Sequence, residues 1–133
     1  VKTLFAMLAA MLGQQSGMLG LTLPIDWDSM TPLPYQRQPV VTAQMSRFVA
    51  KEMAFSKCPM PPQQNGRHIV ALDIAVLLSD DGSVRATIPR AINCSAVEQY
   101  GAGLVSTFAR NNLDPQTGDP SGWYRATVTF EWK

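Results

Sequence analysis

Histidine is almost missing from this chain: His68 is the single one in 133 residues. A catalytic triad or a histidine metal cluster cannot be built around it without cysteine or carboxylate help, and at the start of a strand it reads as structural. No G-x-S-x-G elbow surrounds any serine. Gly101-Ala102-Gly103 lacks a following Lys-Ser/Thr pair and a strand leading into it, so it is no phosphate loop. An excess of one charge is also lacking. Eleven Lys and Arg stand against ten Asp and Glu, for a net charge of +1, and no basic run or acidic block occurs. That argues against a nucleic-acid partner. Internal repeats are absent, and cysteine is limited to Cys58 and Cys94.

The carboxylates offer little chemistry. Asp80 and Asp81 adjoin Gly82 and read as a solvated turn, since a calcium loop needs more oxygen ligands at set spacing. Asp26 and Asp28 flank Trp27 in a proline-rich stretch with no pocket in view. Met45, Met53, Met60 and the earlier methionines read as core or signal-peptide residues, not as soft-metal ligands. No metal and no cofactor is expected, and the chain reads as a binder, not an enzyme.

What is present is apolar: 46% of residues are hydrophobic and 16% charged, enough for one core. Residues 1–22 read as an export signal or an N-terminal anchor. Lys2 precedes an uncharged run, Thr3 to Leu12, which Gly13-Gln14-Gln15-Ser16-Gly17 interrupts. Ten helical residues cover only ~15 Å of a ~30 Å bilayer core. Cleavage after this segment, retention of residues 3–21 as an anchor and an ordinary buried helix all stay open. Export favours a Cys58–Cys94 disulfide, with two separate buried thiols as the alternative. Closing that loop is worth roughly 3–4 kcal/mol in the loop-entropy model.

Residues 23–39 carry Pro24, Pro32, Pro34 and Pro39 and read as an extended, mobile tether, in which Trp27 and Tyr35 have a domain to pack back on. From Val40 to Phe55 the spacing turns helical, with Val41, Met45, Phe48, Val49 and Met53 on one stripe and Thr42 as a cap. Residues 59–66 form a loop. His68 to Leu78 alternates as a strand, with His68, Val70, Leu72, Ile74, Val76 and Leu78 as the core face. Ser79 to Ser83 is a hairpin loop and Val84 to Ile88 a second strand, closed by Pro89. Ser95-Ala96-Val97-Glu98 matches a capping box, opening a helix through Phe108, where Gly101 and Gly103 allow close approach to the sheet. Residues 114–122 are a loop. The last strand alternates Tyr124, Ala126, Val128, Phe130 and Trp132 inward with Trp123, Arg125, Thr127, Thr129 and Glu131 outward. Trp123 is the aromatic expected at the surface.

The sum is an α+β domain over residues 40–133, two helices on a three-stranded antiparallel sheet in the order α-β-β-α-β. The helix leading into Cys58-Pro59, the strand ending in Leu77-Leu78-Ser79-Asp80-Asp81-Gly82-Ser83-Val84, Cys94 before the second helix and the closing aromatic strand together resemble the C-terminal periplasmic domain of TolA, and more loosely that of TonB. The resemblance implies a periplasmic location in the cell envelope, a link to TonB- or TolA-type transport, and binding of an envelope protein or a phage or toxin segment by edge-strand addition. The edge is expected on the last strand, with Trp123, Arg125, Thr127, Thr129 and Glu131 as partner-binding residues. The alternative is a small secreted inhibitor or accessory protein acting through the 59–66 or the 114–122 loop.

Overall fold

The computed structural model describes residues 24–115 and 122–133. The expected signal or anchor, and most of the 114–122 loop, lie outside them. The fold is α+β, with two helices and a four-stranded mixed sheet. The elements are β1 (Thr31–Pro32), α1 (Ala43–Phe55), β2 (His68–Leu78), β3 (Val84–Pro89), α2 (Ser95–Ala109) and β4 (Trp123–Trp132).

Each long element follows from its residue pattern. Helix α1 starts where Thr42 Oγ1 accepts the Met45 backbone N–H at 3.2 Å, which satisfies one of the unpaired donors of the first turn. Val49 and Met53 of its apolar stripe are buried, whereas Phe48 stays 42% exposed and lies 4.4 Å from the Tyr100 ring. Strands β2 and β3 join through a tight hairpin in which Gly82 takes φ 84°. The Asp81 carboxylate there accepts hydrogen bonds from the Ser79 hydroxyl and from Ser83. Those donors favour the charged form and lower the Asp81 pKa to about 2. Helix α2 is capped differently from expectation. Cys94, not Ser95, holds the N-cap position, and the Glu98 carboxylate accepts from the Ile92 and Cys94 backbone N–H groups at 2.9 and 3.1 Å.

Both helices pack on one face of the sheet. Val70, Leu72, Ile74, Val76 and Leu78 of β2 and Tyr124, Ala126, Val128 and Phe130 of β4 form the main core with Val49, Met53, Val97 and Val105. Gly101 permits the close approach of α2. A Cβ there would stand 2.3 Å from Leu72 Cδ2. Gly103 faces open space and plays no such part. Cys58 and Cys94 form a disulfide, with Cα atoms 5.3 Å apart, that ties the end of α1 to the start of α2.

The sheet differs from the expected one. β2 pairs antiparallel with β3 and, along its length, with β4, but the tether supplies a fourth strand. Thr31 and Pro32 pair parallel with Tyr124 and Arg125. Two residues carry no periodicity, and Pro32 is a poor strand former, so the sequence pattern hides this strand. Its N–H is not missed, because Leu33 N–H donates to Arg125 O at 2.8 Å. The proline-rich segment is not extended throughout, since Trp27–Ser29 form a 3-10 turn before the short strand, and it is held against the domain. Gln36 N–H donates to Asn112 O, Asp114 N–H to Pro34 O, and Arg37 and Asn112 exchange two further bonds.

The opposite face of the sheet is not simply wet. Ala75, Leu77 and Trp123 form a second buried cluster beneath Trp27 and Met30. Trp123 is 3% exposed, so the expectation that it lies at the surface is corrected. Trp27, 96 residues upstream, covers it.

Candidate functional site: the open strand margins

In an antiparallel pair, N–H and C=O of alternate residues point to alternate sides. Four bonds fix the direction here. Leu33 N–H meets Arg125 O on the outer side of β4. Glu131 N–H donates to the Ser46 hydroxyl at 3.1 Å, also on that side. Leu78 N–H donates to Gly122 O, and Arg90 N–H to Asp73 O, on opposite sides of β2. With the unbroken β2–β4 register, Arg125, Thr127, Thr129 and Glu131 therefore direct their backbone groups away from β2. Ile69, Ala71 and Asp73 direct theirs away from β4.

Strand backbone is left open at the outer side of β3, which ends the sheet, and along one stretch each of β4 and β2. On β4 the open groups are the N–H and C=O of Thr127 and Thr129 and the C=O of Glu131. On β2 they are the N–H and C=O of Ile69 and Ala71 and the N–H of Asp73, because β3 stops at Pro89, opposite Ile74. Among the described residues none of these groups has a hydrogen-bond partner.

The side chains expected to line the β4 margin are placed as follows. Trp123 is buried. Arg125 Nη1 donates to Trp27 O at 2.7 Å. Thr127 Oγ1 donates to Asp73 Oδ1 at 2.7 Å, while Asp73 Oδ2 accepts from Arg90 Nη1 at 3.0 Å. Glu131 forms an ion pair with Arg67. Thr129 is exposed and makes no such bond among the described residues. So β4 is not an edge strand throughout: β1 covers its start, Ser46 meets Glu131 near its end, and the open margin is the stretch between them.

The β2 margin has walls that sequence reasoning missed. A groove of about 290 Å³ is lined by Met53, Pro59, Met60, Pro61, Ile69, Val70, Ala71 and Ile92. The disulfide sets its sides, since Pro59 follows Cys58 and Ile92 precedes Cys94 by two residues. His68 fixes the loop further: its Nδ1–H donates to Pro61 O at 3.2 Å, and Gln63 Nε2 donates to its Nε2 at 3.2 Å. The cysteine spacing held the one available signal, because a 58–94 bond brings Pro59 and Ile92 together.

Searches against known protein families, curated proteins and solved structures find no match to this chain.

Among the described residues no group of three His, Cys, Asp or Glu is placed to hold a metal ion. No helix among them is long and apolar enough to cross a membrane. A wide polar hollow of about 920 Å³ lies between the β2–β3 hairpin and the end of α2, lined by Asp80, Asp81, Arg110, Asn111 and Asp114 among others. Ser95 begins α2 and is exposed. Among the described residues the two hollows offer hydrogen-bonding groups and apolar contact.

Proposed function

We propose that this chain is a periplasmic protein-interaction module, similar to the TolA C-terminal domain and more loosely to that of TonB, which binds an extended segment of an envelope protein, phage or toxin by strand addition. The open backbone row from Thr127 to Glu131 carries this reading, because unpaired strand groups are satisfied by another extended chain. The element order and the disulfide support the resemblance, and the apolar leader supports export. On this reading the guest extends the line begun by β1, with Thr129 as the side chain open to it.

A pull-down of envelope proteins with the wild type and with Thr127→Pro tests the proposal. The Thr127 N–H points outward, so proline removes a guest bond without breaking the β2–β4 ladder. Loss of capture is expected. Undiminished capture by a folded Thr127→Pro protein would overturn the reading. The alternative, a secreted inhibitor or accessory protein acting through a loop, is favoured by the rigid hold on residues 59–63, which lowers the ordering cost of insertion. Grafting a different loop there while leaving β4 intact separates the two.

A further inference from the structure

We infer that the groove beside the first half of β2 is a second peptide site, which takes an extended segment of another protein whose inward side chains are apolar and uncharged. It uses residues distinct from the β4 margin and stands on three observations.

The first is the hydrogen-bonding row. Ile69 and Ala71 each present N–H and C=O, and Asp73 presents N–H, toward the side where β3 has ended. Donors and acceptors recur every second residue, at about 7 Å for an extended chain. Only another extended backbone matches that repeat along its length.

The second is continuity. Arg90 N–H donates to Asp73 O at 2.8 Å and makes the last bond of the β2–β3 pairing. A guest strand placed beside Ile69 to Asp73 continues the line of β3, with the sheet twist already set by the existing ladder. The chain itself leaves that line after Arg90 and turns through Asn93, which takes φ 61°, into Cys94.

The third is the lining. Val70 and Leu72 point toward the helix layer, so a guest side chain opposite either of them points the same way. There it meets Met53, Pro59, Met60, Pro61 and Ile92, none of which carries a charge. A charged group in that position would lose its hydration with no partner in return. The guest therefore alternates, with an apolar residue toward the groove and a polar one toward water. The strand forms the floor and the disulfide-tied loops rise on either side. A second copy of this chain would have to bring its own walled margin into the same groove, which favours a free segment over self-pairing.

Fluorescence anisotropy with a labelled octapeptide alternating valine and threonine between terminal lysines, titrated with the full chain, tests this. Ala71→Pro removes a donor that faces the groove and is not used by the β2–β4 ladder. Met60→Asp places a charge on an exposed wall residue with little risk to folding. Both are expected to weaken binding about tenfold or more, while Thr129→Pro, on the β4 margin and without the Asp73 bond that Thr127 makes, leaves it within twofold. A peptide with aspartate in place of valine should not bind. If the valine peptide fails to bind, or binds Ala71→Pro and Met60→Asp as it binds the wild type, the groove site is refuted. If Thr129→Pro alone abolishes binding, the β4 margin is the single site, which also overturns the inference. A dimer in sedimentation that Met60→Asp dissolves would show that a second copy fills the groove, which also overturns the inference.

Discussion

Replacing both Cys58 and Cys94 with alanine removes the one covalent constraint on how the unfolded chain closes upon itself. The bond spans 36 residues of sequence. In the chain-entropy model, freeing a loop of that length costs about 4 kcal/mol at 25 °C. Cys94 is 2% exposed and lies in the main core, so alanine is preferable to serine there, because a buried hydroxyl would add its own penalty. Domains of this size have total stabilities of about 5–15 kcal/mol. The double variant is therefore expected to keep about 1–11 kcal/mol, and to be close to unfolding at the lower end of that range. Urea titration followed by far-UV circular dichroism measures the effect. Two results should appear together: a fall of roughly 3–4 kcal/mol and a rise in the slope m, since the uncrosslinked unfolded chain exposes more surface. A fall below about 1 kcal/mol with unchanged m would refute the reasoning. It would mean that residues 58–94 already hold their ends together in the unfolded state. The same variant should lose peptide binding in the groove even where it folds, because Pro59 and Ile92 owe their spacing to that bond.

Gly101→Ala should destabilise the protein by about 1–3 kcal/mol through overpacking against Leu72, whereas Gly103→Ala, facing open space, should stabilise it by up to ~1 kcal/mol; paired thermal melts check both signs. Trp27→Ala should cost about 2 kcal/mol in urea titration, because it uncovers Ala75, Leu77 and Trp123, and should alter the near-UV circular dichroism of the remaining tryptophans. Asp81 titrates near 2 in the folded chain against 3.8 as a free side chain. A depressed folded value contributes stability that is present above about 3.8 and lost as pH falls toward 2. Asp81→Asn should thus flatten the stability curve across that window, and an NMR titration that placed the carboxylate near 4 would contradict it.

Much of the site was legible in part only. Alternation in Tyr124 to Trp132 identified β4 and both its faces, but not that Trp27 and Met30 bury Trp123 on the outward one. What alternation cannot report is which strand has a neighbour. Arg125 and Thr127 were expected to meet a guest, yet they bond to Trp27 and Asp73. Those partners lie 98 and 54 residues away in sequence. The groove was out of reach for the same reason: Met53, Met60, Ile69 and Ile92 share no local pattern.

The sequence by itself determined the two helices, the three long strands and the helix-facing core, and it favoured the disulfide over two separate thiols, a choice the structure settled. The elements rest on short-range periodicity and on turn and cap chemistry. Tertiary structure alone decided the fourth strand at Thr31–Pro32, the second buried cluster under Trp27, and where strand backbone is left without a partner. These depend on which distant segments come to lie side by side, and no local repeat in a chain encodes the absence of a neighbour.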